Sequence, residues 1–500
     1  MVPEAKSNLS ISRDLLFYGP SKLIPAVLAV ILVIVLTHSL TPNEYGKYAT
    51  VLAIINLSDA FVTAWLRQSI LRFYPEYQIK DRTLDFQKNV LPLLVGSTFV
   101  VFMVLSLVMN MLGYHPKQIA LALGVSFAQI LFAYLTTLYQ STRLSRNYAL
   151  VTLIQSFVQL MMAFGLVFII RGGYPFAVMA VGSGYAGSIF YIFSQRKKTN
   201  IHFSLAIQQF DWPLAKKLLG YGLPMSIWFL SFQMLSLANR LIITSLRSYD
   251  EAGIYSSAYD LINGSLSLMM TPFLLAAHPI IMQLWAQSRD RTAIEELIKR
   301  ISRYLLLLCV PIFAFSLIIN NELFGFFLGK GFNILGWVVP ILVAAVFFAQ
   351  FSMYFHKGLE IAERTRIMMG VAIVCACFNV GLNLLFIGEY GYPAAAIFAL
   401  LSYLIYILIV FRLSRRFIRI RLPWSSVTRI MIAAASASLS LWISKGTLAA
   451  TVTNSLAWIM VSVFLFGCVY VLVLNILGEL SAEKQQLYVL VRHHLLGRSR

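Results

Sequence analysis

The chain has 500 residues, of which 59% are hydrophobic and only 12% charged. Average soluble chains lie near 45–50% apolar and about 25% charged, so no water-soluble core of this length hides so much apolar surface. Secreted enzymes, cytosolic enzymes and disordered scaffolds are excluded, and the net charge of +20 reads as membrane topology rather than nucleic-acid binding.

A bilayer core of about 30 Å is crossed by about 20 apolar helical residues. In chain order, nearly charge-free stretches at 15–40, 45–69, 89–112, 118–141, 147–170, 174–195, 215–246, 251–276, 303–320, 333–356, 366–388, 391–412, 425–445 and 452–477 predict fourteen transmembrane helices. The segment 303–320 is short and 425–445 carries Arg429, so twelve spans is the nearest alternative. The expected fold class is an all-α polytopic membrane protein. The first run is too long for the apolar region of a cleaved signal and is read as a permanent helix.

The connecting segments alternate in charge. Nearly all of the forty Lys and Arg fall in 67–88, 143–146, 196–217, 289–303, 357–366, 412–429 and the two tails, taking Lys22 with that side; the exceptions are Lys47, Lys117, Arg171, Arg240, Arg247, Lys330 and Lys445. The basic side is expected to be cytoplasmic, with both termini there. Trp65, Trp212, Trp285, Trp424 and Trp442 are expected in the headgroup layer near span ends. The basic run Arg412, Arg415, Arg416, Arg419 and Arg421 reads as topology and anionic-lipid contact. Far-side turns such as Thr41–Glu44, Arg247–Asp250 and Glu389–Gly391 leave no room for an extramembrane domain. Cys309, Cys375, Cys377 and Cys468 lie in apolar runs and form neither a disulfide framework nor a zinc spacing.

The two halves echo one another. Leu15-Leu16-Phe17-Tyr18-Gly19 matches Leu218-Leu219-Gly220-Tyr221-Gly222, and Glu44-Tyr45-Gly46-Lys47-Tyr48 matches Glu251-Ala252-Gly253-Ile254-Tyr255. Arg146 matches Arg364, and Gly173-Tyr174-Pro175 matches Gly391-Tyr392-Pro393. The repeat unit is six spans, an even number, so both copies enter the membrane in the same orientation. The expected division is an N-lobe at 1–200, a C-lobe at 201–421 and two extra helices with a tail at 422–500. Two lobes around a central cavity are what alternating access needs. Pro20 and Pro25 in span one, Gly222 and Pro224 in span seven, and Pro272, read as ending span eight, are helix breakers consistent with motion.

The stretch Leu40-Thr41-Pro42-Asn43-Glu44-Tyr45-Gly46-Lys47-Tyr48, with Asn239-Arg240-Leu241-Ile242-Ile243 and Glu251-Ala252-Gly253-Ile254-Tyr255-Ser256-Ser257-Ala258-Tyr259, resembles polysaccharide transporters. These belong to the multidrug/oligosaccharidyl-lipid/polysaccharide (MOP) exporter superfamily, and the chain is most similar to its O-antigen and exopolysaccharide flippases over roughly 11–477. The resemblance implies transfer of an undecaprenyl-diphosphate-linked glycan from the cytoplasmic to the outer leaflet of a bacterial inner membrane. It implies a lipid-linked oligosaccharide substrate, H+ or Na+ as coupling ion, and glycan polymerase or assembly proteins as partners. Family members commonly carry Asp before the Arg of the second motif; Asn239 stands there, so no ion-coupling role is carried over to it.

Charges inside a span are costly, at about 2.5–3.5 kcal/mol on insertion scales, and usually face a cavity or a partner. Lys22, Arg67 and Arg240 are candidate cavity cations, suited to diphosphate oxygens. Asp59 and Asp260 are expected to bind a coupling ion or to hold the basic groups, and Arg240 and Asp260 are placed to pair across a turn. Lys22 and Arg67 also read as interfacial residues. Asn56, Gln129, Gln155, Gln159, Gln233 and Asn263 add groups for sugar hydroxyls or for helix–helix hydrogen bonds. The very apolar spans thirteen and fourteen are a candidate groove for the polyprenyl tail. No Walker A motif, metal set or catalytic constellation is present, and His493 and His494 read as part of a basic tail, so the expectation is a transporter without cofactor rather than an enzyme. The alternatives are a drug or metabolite cation antiporter of the same superfamily, a lipid-linked cell-wall precursor flippase, and a membrane-embedded glycan polymerase or ligase.

Overall fold

The computed structural model describes residues 22–142, 144–195, 210–452 and 454–481. Leu15–Gly19, Pro20, residues 196–209 of the long basic loop, His493 and His494 lie outside the described residues. In chain order the helices are α1 (Lys22–Ser39), α2 (Pro42–Val62), α3 (Ala64–Ile79), α4 (Thr83–Met111), α5 (Pro116–Ser141), α6 (Ser145–Ala163), α7 (Tyr174–Ser194) and α8 (Trp212–Leu246). They continue as α9 (Tyr249–Ser288), α10 (Arg291–Phe327), α11 (Val338–Phe355), α12 (Lys357–Ile361), α13 (Thr365–Tyr390), α14 (Tyr392–Ser414), α15 (Trp424–Thr451) and α16 (Ser455–Ile476). A π-helical turn, Phe164–Ile169, prolongs α6. Thirteen of these helices are long and apolar enough to cross a membrane, and α2 with α3 makes a fourteenth as one bent span. No strand occurs among the described residues. The protein is an all-α, multi-pass membrane protein.

Local chemistry starts the helices where the far-side turns stand. The Thr41 hydroxyl accepts from the Glu44 amide at 3.3 Å ahead of Pro42, and the Ser248 hydroxyl accepts from the Glu251 amide at 3.1 Å. Both satisfy amides that the first turn leaves without a partner. Away from the ends, apolar residues cover both faces. On α4, Val95, Phe99, Met103 and Leu107 are exposed to lipid, while Val101, Leu105 and Met109 are buried among neighbouring helices.

Three elements differ from the sequence reading. The span expected at 45–69 breaks at Thr63, where α2 and α3 bend by 48°. No proline causes it: the Thr63 hydroxyl bonds back to the Asp59 carbonyl at 3.1 Å, and Arg67 reaches Asp59 across the break. Eight helical residues span about 12 Å, so this contact forms because the chain bends there. Pro272 does not end its span; α9 runs through it to Ser288. The short expected span 303–320 is the centre of α10, which carries non-helical backbone at Ile319. Among the tryptophans, Trp212, Trp424 and Trp442 are exposed, whereas Trp65 is buried in a core beside Phe73 and Leu218.

The repeat is visible as contact. Gly46 on α2 and Gly253 on α9 face one another so closely that a Cβ on Gly46 would meet the Tyr249 carbonyl, and one on Gly253 the Pro42 carbonyl. Asn43 donates to Asp250 at 2.8 Å, and these positions are also equivalent in the two copies. Equivalent residues touch each other only beside a rotation axis, so a pseudo-two-fold axis passes between the two glycines. The second echo has the same origin. The Glu44 carboxylate lies against Gly173 at the start of α7, and Glu251 accepts from the Tyr392 amide at the start of α14 at 3.1 Å. Each glutamate supplies negative charge to a helix N-terminus. Beyond the bend, Gly222 of α8 packs on the Trp65 carbonyl of α3, and the Ser69 hydroxyl of α3 donates to the Leu218 carbonyl at 2.6 Å. The bent span α2–α3 therefore meets α9 closely at one end and α8 at the other. The last two helices stand apart from the repeat: α15 and α16 pack on each other and on α10 through Ala433, Ala434 and Ala437.

Candidate functional site

Between the two close approaches lies a cavity of about 440 Å³ lined by α2, α8, α9, α11 and α14. Its wall is polar and aromatic, with Tyr48, Asn56, Gln233, Tyr259, Asn263 and Tyr403 around the Arg240–Asp260 pair. Arg240 comes from the second half of α8 and Asp260 from the facing part of α9, so the tight turn between the two helices brings them together.

Arg240 is buried and bidentate on Asp260: Nη1 lies 3.3 Å from Oδ2, and Nη2 pairs with Oδ1. The Tyr45 hydroxyl donates to Asp260 Oδ2 at 3.1 Å, and the guanidinium lies 5.6 Å from the Tyr259 ring centroid. The carboxylate thus neutralises the guanidinium, and the rest of the wall offers uncharged donors and acceptors. Arg240 Nε is buried and has no protein partner. A guanidinium has five N–H donors, so engagement of Asp260 leaves donor capacity for a ligand oxygen.

The other sequence candidates stand elsewhere. Arg67 Nη1 lies 2.9 Å from both oxygens of Asp59, with the Thr63 hydroxyl bound to the same group; this closed pair sits at the α2–α3 bend and does not line the cavity. Lys22 is exposed and donates to the Tyr148 hydroxyl of α6 at 2.8 Å. Gln129 donates to Asn56 at 3.0 Å, orienting one cavity group from α5. Gln155 and Gln159 bond each other at 2.7 Å. Asn239 is fully buried beside the cavity, accepting from Asn383 at 2.9 Å and donating to the Tyr255 hydroxyl at 3.2 Å. It joins α8, α9 and α13 through neutral hydrogen bonds.

A second cavity of about 370 Å³ shares Trp228 and Met353 with the first. His278, His356, Lys357 and Glu360 line it. Sequence reading missed these four, because 357–366 reads as a basic connecting loop and His278 and His356 are single histidines at the ends of apolar runs. In the structure Lys357–Ile361 is a short helix, α12, whose Lys357 is buried. The available signal was a Lys and a Glu at i,i+3 directly after a histidine at the end of an apolar run. The aromatic wall was also missed, because tyrosine and tryptophan are frequent throughout this chain.

Known proteins resemble the chain in fold over most of its length. A lipid II flippase MurJ in an inward closed conformation matches with a TM-score of 0.71 at 14% identity, covering 93% of this chain and 99% of that one. A multidrug resistance MATE family transporter of the MOP superfamily, inward-facing, matches with a TM-score of 0.60 at 13% identity over 78% of this chain and 94% of that one. An outward-facing MATE transporter of that superfamily matches with a TM-score of 0.53 at 12% identity, covering 81% and 95%. No curated protein matches by sequence. Residues 35–336, from the end of α1 to the residues before α11, match the family described as polysaccharide biosynthesis protein. With more than half of its length in that match, the chain is a member of the polysaccharide biosynthesis protein family.

Proposed function

We propose that the protein is a flippase that moves undecaprenyl-diphosphate-linked oligosaccharide units from the cytoplasmic to the outer leaflet of a bacterial inner membrane by alternating access. The product feeds polysaccharide or O-antigen assembly. One observation carries the reading: a polar, aromatic cavity, walled by α2 of one half and α8, α9, α11 and α14 of the other, lies along the helices between the contact of α2 with α9 and the contact of α3 with α8. Sugar hydroxyls need many uncharged hydrogen-bond partners and apolar ring faces, which this wall presents. Arg240 is the cation within reach of a diphosphate. The polyprenyl tail stays in lipid, with the surface of α15 and α16 as its candidate path. The N-lobe (1–200) and C-lobe (201–421) rock about the axis, and residues 422–500 ride on the second. The termini and the basic loops face the cytoplasm, H+ or Na+ drives the cycle, and a glycan polymerase receives the product.

In cells lacking the protein, lipid-linked repeat units should accumulate on the inner leaflet and surface glycan should disappear. Normal surface glycan in such cells ends the proposal. The fold shared with a lipid II flippase supports a second reading, a lipid-linked cell-wall precursor as cargo. Loss of cell-wall synthesis, rather than of surface glycan, in the same strain would favour it.

A further inference from the structure

The second cavity gathers four ionisable side chains from separate elements. His278 comes from α9, His356 from the junction of α11 and α12, and Lys357 and Glu360 from α12. Lys357 Nζ lies 2.8 Å from His278 Nδ1 and 2.6 Å from Glu360 Oε2. Glu360 also lies 3.8 Å from His278 Nδ1 and 3.9 Å from His356 Nε2. His356 and Lys357 are buried, while His278 opens to the cavity. The titratable groups facing one another here are these four, with Tyr406 of α14 beside His356 and Cys375 of α13 beside Tyr406.

The charge arithmetic leaves room for a proton. Glu360 balances Lys357, so the cluster is neutral while both imidazoles are neutral. A Lys ammonium donates only to an imidazole nitrogen that carries a lone pair. Protonation of His278 Nδ1 therefore breaks its bond to Lys357 and leaves two cations competing for one carboxylate. Protonation of His356 adds a buried cation whose counter-ion, Glu360, is already close. Either event rearranges the group.

The rearrangement has a route to the first cavity. His356 Nδ1 lies 3.3 Å from the Tyr406 hydroxyl, which accepts from Trp228 Nε1 at 3.3 Å. The Trp228 and His356 rings stand edge to face with centroids 5.6 Å apart. Trp228 is part of the wall shared by the two cavities. We propose that His278, His356, Lys357 and Glu360 form a proton-binding site whose occupancy moves the Trp228 partition between the cavities. Its role in driving export rests on the flippase reading above; the proton site and its link to Trp228 do not.

The test needs no substrate. The full chain in lipid nanodiscs is titrated while tryptophan fluorescence is recorded, and subtraction of the Trp228→Phe signal isolates Trp228. An imidazolium at the indole edge quenches its emission, so this component should titrate at acid pH, with a midpoint below about 6.5, because the new cation forms beside the Lys357 ammonium. Glu360→Gln or His278→Gln should move the midpoint by about one pH unit or more, a tenfold change in proton affinity. His38→Gln, at an exposed helix end, should leave it in place. A flat Trp228 component, or the wild-type midpoint retained in every folded variant of the two, overturns the proposal. A proton-sensitive Trp228 in a chain that moves no lipid-linked glycan would end the flippase reading and leave the proton site standing.

Discussion

Arg240 and Asp260 are one unit. Removing one member of a buried ion pair strands the other and costs about 3–5 kcal/mol, whereas removing both is far milder. Arg240→Ala should therefore lower the yield of folded protein and abolish glycan export. Arg240→Gln combined with Asp260→Asn should recover folding, read as thermal stability in detergent, without recovering export. Equal stability of Arg240→Ala and wild type would show that the pair carries no structural load. Asp59 and Arg67 make the contrasting case. Their pair stands outside the cavity, at a bend, and Arg67 retains some exposure. Asp59→Asn should straighten α2 toward α3 and reduce export more than it reduces stability. Export at the wild-type rate with a cross-linking pattern unchanged across the bend would remove Asp59 from the mechanism.

At the scale of elements, Gly46 and Gly253 mark a place where the lobes touch through backbone. Neither Gly46 nor Gly253 leaves space for a Cβ, and the obstacle in each case is a main-chain carbonyl rather than a flexible side-chain tip. A Gly46→Leu substitution should hold α2 and α9 apart at that end. In a background lacking the four native cysteines, Asn43→Cys with Asp250→Cys should cross-link readily under mild oxidation, because their native counterparts are hydrogen-bonded. Adding Gly46→Leu should suppress the cross-link several-fold, and the cross-link itself should block export by locking the end shut. An unchanged cross-linking yield in the Gly46→Leu background would show that the contact is not a steric hinge. The same elements explain why short sequence echoes marked the repeat. Gly46 and Gly253 recur because each must admit its counterpart's backbone, and Glu44 and Glu251 recur because each sits at the N-terminus of another helix.

At the scale of the whole molecule, the even distribution of spans and the basic loops make a topological prediction. A reporter active only outside the cytoplasm should report when inserted at Arg247 and stay silent when inserted at Arg289, since α9 separates them across the bilayer. The opposite pattern would invert the direction proposed for export. The number and order of the spans, their approximate ends and the internal repeat were legible in the residues alone. Lipid imposes that legibility: every crossing must satisfy its own backbone and present apolar side chains, so each span is written locally. The intramembrane charges were legible for the same reason, because each is an exception in an apolar run. Their grouping was not. Lys22, Arg67 and Arg240 look alike in sequence, yet one bonds a tyrosine on another helix, one closes on its own bend and one enters the cavity wall. The aromatic wall, the bend at Thr63 and the His278–Glu360 cluster depend on which helix faces lie opposite each other, a property of packing between residues far apart in the chain. Composition set what the molecule dissolves in, and how many times it crosses, because those are sums over neighbours; where a buried charge finds its partner is a matter of three-dimensional approach, and only the folded bundle brings α8, α9, α12 and α14 within hydrogen-bonding distance.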